Sequence, residues 1–277
     1  MLADCTVCAQ ECHVDRLAGE KGFCRGGRLA AVSSWGPHFG EESVLVGRHG
    51  SGTVFFANCN LACRFCQNCD ISQYGQGEEL SAGELAGAML EVQEMECHNV
   101  NLVSPSHYVP QILEALVIAV EKGLKIPLVY NTGGYDALHT LALLDGIVDI
   151  YMPDIKYGGD EVGAKYSRAP RYFTVAKAAV KEMHRQVGDL QINERGIAIR
   201  GLLVRHLVMP EKLARTEAIM KFIAEEISPN TFVNIMDQYY PAHEARKYPE
   251  LSRRISRAEY RQAVEIARAA GLKRIYP

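Results

Sequence analysis

From residue 53 to residue 270 the sequence alternates short apolar runs with amphipathic stretches, and this alternation limits the possible folds more than any other feature. Thr53 to Ala57 reads as a buried strand. Ser81-Ala82-Gly83-Glu84 is a capping box that opens a helix to about Cys97. Val100 to Val103 is a second strand, and Val109 to Lys122 a helix closed by Gly123. Pro127 to Tyr130 is a third strand, with a helix from Asp136 to Leu144. Ile147 to Met152 is a fourth, with a helix from Pro170 to Val187. Ile197 to Val208 holds a fifth, followed by a helix from Glu211 to Ile227. Thr231 to Met236 is a sixth, and Ser256-Arg257-Ala258-Glu259 caps a last helix to Ala270. Six strand–helix units imply a parallel sheet with right-handed crossovers, as a doubly wound sheet or a partial barrel. Both place their chemistry at the carboxyl ends of the strands. The unusual residues fall there: Cys59, Ser104, Asn131, Asp154, Arg205 and Gln238.

Residues 1 to about 50 precede this pattern as an irregular cysteine-rich extension, so the chain divides into residues 1–50 and 51–277. Trp35-Gly36-Pro37-His38 reads as a turn, with Trp35 anchoring the extension on the main body. A net charge of −3 marks neither a nucleic-acid nor a membrane-surface binder. The opening Met1-Leu2-Ala3-Asp4-Cys5 lacks the pattern of a secretory signal, and no segment approaches the roughly 20 apolar residues of a membrane span. A cytoplasmic protein is expected.

Nine cysteines are present, four within residues 5–24 and four within residues 59–69. In a reducing compartment such crowding points to metal rather than to disulfides. Cys97 stands alone and reads as a small, semi-buried apolar residue. Cys59, Cys63 and Cys66 are separated by three and two residues, so a tight loop can aim three thiolates at one centre. Soft thiolates favour zinc or iron–sulfur clusters. A zinc loop completed by Cys69 or a histidine is one outcome; a cluster with one open iron is the other. Cys5, Cys8, Cys12 and Cys24 fit a four-cysteine site for zinc or a second cluster, with His13 as a possible substitute, or else they are free thiols in a loose arm.

The segment from Cys59 to Cys66, with Phe65 before its last cysteine, resembles the signature of the radical S-adenosylmethionine superfamily. The wider chain, from about Cys5 to Gly271, resembles the pyruvate formate-lyase activating enzyme group, especially relatives with a cysteine-rich amino terminus. The resemblance implies a partial (β/α)6 TIM-like barrel of the α/β class. It implies a 4Fe-4S cluster on Cys59, Cys63 and Cys66 whose open iron is chelated by S-adenosylmethionine, and one-electron cleavage to a 5′-deoxyadenosyl radical. It further implies reduced flavodoxin or ferredoxin as electron donor and a glycyl-radical enzyme as partner. Phe65 would lie near the adenine. Tyr130-Asn131-Thr132-Gly133-Gly134 looks like the group's Asp-Thr-Asn-Gly segment, and Met152-Pro153-Asp154-Ile155-Lys156 like its Asp-Leu-Lys segment. These imply a monovalent cation on Asn131, Thr132, Met152 and Asp154, with Lys156 near the cofactor carboxylate.

The chain also departs from that group. Ser104-Pro105-Ser106-His107 replaces the Gly-Gly-Glu that holds the methionyl amine, so only Ser104 remains there as a candidate. Asn131 stands in place of an aspartate. Cys69 is an extra thiol, expected to stay off the cluster because a fourth thiolate would close the open iron. His107 reads equally as a substrate donor or as a residue of the helix start. Arg205 reads as a bidentate partner of the cofactor carboxylate or of a structural carboxylate, and Gln238 flanks the same end. Radical chemistry on a small molecule or a peptide side chain is an alternative activity. A zinc-stabilised binding module is the non-enzyme alternative. No long insertion follows the sixth strand and the tail from Lys273 is short, so an open mouth and a macromolecular substrate are expected.

Overall fold

An apolar strand buried on both faces needs a partner on each edge and helices above it, and the apolar runs satisfy this in one sheet. The computed structural model describes residues 1–276. Its strands are β1 (Ala30–His38), β2 (Ser51–Phe56), β3 (Glu78–Leu80), β4 (Val100–Val103), β5 (Leu128–Thr132), β6 (Ile150–Pro153), β7 (Gln191–Ile192), β8 (Ala198–Leu207), β9 (Phe232–Met236) and β10 (Arg274–Tyr276). They lie in the order β10-β9-β8-β6-β5-β4-β2-β1-β3, with β7 beside β8. The run from β2 through β4, β5, β6, β8 and β9 to β10 is parallel. Because β10 and β3 end the path without meeting, the barrel is partial and its sheet is not closed.

All six expected strands are present, each followed by helix. Ser81 and Ser256 both make reciprocal capping boxes, starting the helices Ala82–Glu94 and Arg257–Ala269. Leu85, Met89, Ile112, Val180, Met183 and Ile219 are fully or almost fully buried beneath the helices. Each such side chain contributes about 1.5–3 kcal/mol by leaving water. A second, aromatic-rich cluster around Phe65, Tyr135, Tyr157, Tyr172 and Tyr239 packs at the carboxyl end of the sheet, beneath the cysteine loop.

Several local expectations need correction. Ala30–His38 is not irregular; it pairs antiparallel with β2 as far as His38–Ser51, and Trp35-Gly36-Pro37-His38 is strand rather than turn. Proline is tolerated because β3 pairs β1 only over Ala30–Val32, so Pro37 lies on an unpaired edge. The indole of Trp35 donates to Glu91 at 2.7 Å, which ties this strand to the helix Ala82–Glu94. The helix expected from Asp136 shortens to Leu138–Leu141 and a 3-10 turn, because the Asp136 carboxylate turns back to accept from Tyr130 and Thr132. The stretch after β6 holds two helices, Asp160–Ser167 and Tyr172–Val187, separated by left-handed Arg168 and Arg171. Left-handed Glu211, Lys212 and Arg215 likewise delay the helix after β8 until Thr216. The tail is a short strand, β10, that extends the parallel sheet. Among the described residues no helix is long and apolar enough to cross a membrane.

Candidate active site

The carboxyl ends of the parallel strands open into a cavity of about 370 Å³. Its walls include Cys59, Cys63, Cys66, Phe65, Ser104, Asn131, Asp154, Lys156, Arg205 and Gln238. The cysteine triad, Phe65, Thr132 and the strand-end residues expected from the sequence therefore meet in one place, whereas Met152 is buried in the core away from the cavity walls. A larger groove of about 660 Å³ lies between the helices Thr216–Phe222 and Arg257–Ala269, and no thiol lines it.

The cysteine loop leaves β2 through Asn58, whose left-handed backbone (φ 68) turns the chain over the strand ends. The Asn60 amide donates to the carbonyl of Tyr135 at 2.7 Å and pins the loop. Hydrogen-bond donors already face the sulfurs: the Leu61 N–H lies 3.4 Å from Cys59 Sγ, and the Ser167 hydroxyl 3.0 Å from Cys63 Sγ. Ser72 Oγ lies 3.0 Å from Cys66 Sγ. Burial pushes the Cys59 thiol up to about 12 and the Cys63 thiol to about 11. These groups become thiolates on binding metal, with release of their protons. Donors to sulfur, a nearby Lys156 and three thiols on one cavity suit an iron–sulfur cluster. Cys69 is half-exposed on the short helix Cys69–Ser72, outside the cavity walls.

Phe65 is buried against Tyr157 and Tyr239, with ring centroids 6.3 and 5.7 Å away. Ser104 adopts left-handed backbone (φ 59) at the end of β4, and its N–H donates to the carbonyl of Asn131. Gln238 is exposed at the rim, where its carbonyl accepts from Gln67.

Arg205 organises the charge. Its Nε donates to Asp154 Oδ1 at 2.7 Å, one terminal nitrogen to Glu41 at 3.1 Å and the other to Asn131 Oδ1 at 2.7 Å. Lys156 Nζ lies 2.5 Å from Asp154 Oδ2. Burial opposes ionisation of Asp154, but Arg205 and then Lys156 outweigh it and hold the carboxyl at about 2. Burial raises Glu41 above the usual carboxylate range despite Arg205. The oxygens of Asp154 and Asn131 expected to hold a monovalent cation thus already face two protein cations, and the Thr132 hydroxyl is engaged with Asp136. The donor set does not suit that further ion.

His107 lies at the start of the helix Val109–Glu121, just before its cap Tyr108, and does not line the cavity. It is fully buried, with Nε2 3.2 Å from the carbonyl of Ala57, and burial lowers it to about 3. His206, also buried, bridges the Ile155 carbonyl and Thr216, and burial lowers it to about 4. Both are neutral braces for the loops after β2 and β6. Tyr172, not anticipated from the sequence, accepts the Lys156 N–H and lies within 3.0 Å of the Gly133 and Asp154 carbonyls. Glu41, Glu42, Ser72 and Ser167 were also missed. No local motif marks them: the partners of Glu41, Glu42 and Ser167 are remote in sequence, and Ser72 meets Cys66 only because the loop between them folds back.

Cys5, Cys8 and Cys24 are buried and Cys12 half-buried, so the amino-terminal quartet is not a loose arm. Cys8 pairs with Asp136 in an isolated bridge. His13 is exposed and pairs with Asp4 at 2.8 Å.

Comparison with known proteins agrees with this geometry. The chain is 34% identical over 280 residues to uncharacterized protein MJ0674 of Methanocaldococcus jannaschii, covering 99% of this chain and 77% of that one. Among solved structures, native anSMEcpe with bound AdoMet superposes with a TM-score of 0.50 at 11% identity, over 77% of this chain and 57% of that one. HydG, a maturase of the FeFe-hydrogenase, superposes with a TM-score of 0.50 at 13% identity, over 77% of this chain and 47% of that one. These two likenesses are of fold, and the chain spans about half the length of those structures. The radical SAM superfamily matches residues 53–223, the stretch that carries the cysteine loop and the strand ends from β2 to β8. The chain belongs to the radical SAM superfamily.

Proposed function

We propose that this protein activates a glycyl-radical partner, abstracting hydrogen from a glycine presented on a flexible loop. The observation that carries this reading is a small cavity with an exposed rim. Gly40, Gln67, Asn68 and Gln238 are exposed around about 370 Å³ of space on the open side of the sheet. Once a 4Fe-4S cluster and S-adenosylmethionine fill such a volume, little enclosed room remains, and a substrate meets the radical across the mouth rather than inside a pocket. The bound cofactor supplies a 5′-deoxyadenosyl radical when one electron, here from a reduced flavodoxin or ferredoxin, cleaves its sulfonium. The chain's own residues bind and orient. Cys59, Cys63 and Cys66 hold the cluster; Phe65 and Gln238 flank the adenosyl moiety. Ser104, Asn131, Asp154, Lys156 and Arg205 form the polar wall for the cofactor's amino and carboxylate groups, with Glu41 on the same wall. This wall is held rigid by the Arg205 network, which limits reorganisation when the cofactor binds.

A second reading is radical modification of a peptide side chain. A structure of anSMEcpe with AdoMet and the Cp18Cys peptide shares the fold at a TM-score of 0.50, and the same open rim admits such a strand. Anaerobic reconstitution, reduction and chromatographic assay for 5′-deoxyadenosine test the shared step. Incubation with candidate partners and electron paramagnetic resonance then test the substrate: a glycyl doublet is expected. Turnover of a metabolite with no doublet from any partner of the host would overturn glycyl activation.

A further inference from the structure

We propose that Cys5, Cys8, Cys12 and Cys24 hold a second iron–sulfur cluster whose charge is balanced by the buried guanidinium of Arg16. The inference is independent of the substrate reading above and concerns a different centre.

Arg16 is only 2% exposed. It donates to the His107 carbonyl at 2.7 Å and to Cys24 Sγ at 3.4 Å, while its Nε has no hydrogen-bond partner. No carboxylate pairs with it among the described residues. A buried cation without a counter-charge is costly. What faces this one is sulfur: Cys24 first, then Cys5 and Cys8. Neutral thiols do not compensate a guanidinium. Four thiolates on an iron–sulfur core carry net negative charge and do.

The surrounding backbone is shaped for sulfur. The Phe23 N–H lies 3.3 Å from Cys12 Sγ and the Gly26 N–H 3.4 Å from Cys24 Sγ, the amide–sulfur contacts that tune iron–sulfur centres. Gly22 has no side chain because a Cβ there would stand 2.9 Å from Cys12 Sγ.

A single zinc ion and a cluster demand different sulfur spacings. Four thiolates on one zinc ion stand about 4 Å apart. Among the described residues no three cysteine, histidine or carboxylate side chains stand close enough to share one ion, and this holds for Cys59, Cys63 and Cys66 as well as for the quartet. On a cube of four irons each thiolate binds a different iron, so the sulfurs stand farther apart. The same result holds for the triad of the superfamily's motif, so it does not count against a cluster on the quartet.

The proposed centre abuts the first. Gln10, two residues beyond Cys8, donates through its side-chain amide to the Asn60 carbonyl at 2.9 Å, and Asn60 adjoins Cys59. Arg16 and the cysteine loop are also joined through His107, which braces Ala57.

The test uses the full chain, reconstituted anaerobically with iron and sulfide. The variant Cys59→Ala/Cys63→Ala/Cys66→Ala should keep about four irons and four sulfides per chain, and show a reduced-cluster electron paramagnetic resonance signal that S-adenosylmethionine does not alter. Wild type should hold about eight irons. Arg16→Gln, introduced into the triad variant, should shift the remaining cluster's midpoint potential to more negative values, because a positive charge beside the acceptor is lost. A merely structural arginine would leave that potential unmoved. A folded triad variant that holds zinc, or no metal, would overturn the proposal. That result would leave the radical centre untouched, since it is read separately in Cys5→Ala/Cys8→Ala/Cys12→Ala/Cys24→Ala as a signal that does respond to S-adenosylmethionine.

Discussion

Replacing Arg205 by methionine removes the one cation that touches β5, the β6 loop and the loop after β1 together. Asp154 would then keep Lys156 alone, and Glu41 and Glu42 would lose their ion-pair partner. Breaking a buried ion pair from one side costs about 3–5 kcal/mol. The Asp154 carboxyl gives an independent scale. Held at about 2 rather than its ordinary 3.8, it contributes roughly 2.5 kcal/mol at neutral pH, shared between Arg205 and Lys156. With Glu41 also stranded, a loss of about 3 kcal/mol is expected for Arg205→Met. The sign with pH follows from the depressed carboxyl. In wild type its stabilisation is complete above 3.8 and lost as pH falls toward about 2. In the variant the carboxylates take up protons earlier and no longer need a partner. The deficit should therefore be largest above about pH 5 and shrink on acidification. Adding Glu41→Gln should recover part of the loss, because the two residues are in contact. Anaerobic guanidinium unfolding at several pH values measures all three quantities. A deficit below about 1 kcal/mol, or one that grows as pH falls, would refute the charge-hub account.

Single changes Cys59→Ala, Cys63→Ala and Cys66→Ala should each abolish 5′-deoxyadenosine formation, while Cys69→Ala should retain it; loss with Cys69→Ala and retention with Cys59→Ala would reverse the ligand assignment. His206, lowered by burial from 6.5 to about 4, contributes about 3 kcal/mol that is complete above pH 6.5 and lost as pH falls to 4. His206→Asn should flatten the unfolding free energy across that window, and an unchanged slope would show that another group titrates there. Gly134 has φ +76, and a Cβ there would stand 2.8 Å from the Asp154 carbonyl. Gly134→Ala should cost roughly 1–3 kcal/mol and weaken S-adenosylmethionine binding measured by calorimetry; wild-type values for both would show that the loop gives way freely.

What was legible in the sequence, and what was not, divides on sequence distance. The parallel strands are continuous apolar runs because they are buried on both faces, so β2, β4, β5, β6, β8 and β9 announced themselves. Their ends carried residues that a buried strand would not otherwise tolerate, which located the cavity. β1 was missed because its exposed half, with Gly36 and Pro37, carries turn chemistry; only pairing with β2 makes it a strand. Glu41 lies 164 residues from Arg205, and Ser167 lies 104 from Cys63. No local pattern reports such partners. The bonding of Asn131 and Asp154 to Arg205 was hidden for the same reason: the guanidinium arrives from β8, and the sequence does not show which of several arginines will do so.

The two roles open to Arg205, structural pairing and recognition of the cofactor carboxylate, are compatible in this geometry. β6 and β8 pair through Ile150–Gly201 and Tyr151–Leu202 only. Beyond that point the strands are rejoined at Asp154–Arg205, where the Ile155 N–H donates to the Arg205 carbonyl at 2.9 Å and the side chains form the ion pair. A sheet that does not close has no further strands to hold this gap, so the charge network does part of the work of a barrel wall. A guanidinium has five N–H donors, and the bonds to Asp154, Glu41 and Asn131 use three. Two have no protein acceptor among the described residues. The structural bonds fix the plane of the guanidinium. This is the economy expected of a polar wall that must bind without reorganising. It also means that a lysine at position 205, with three donors and no fixed plane, cannot serve both roles.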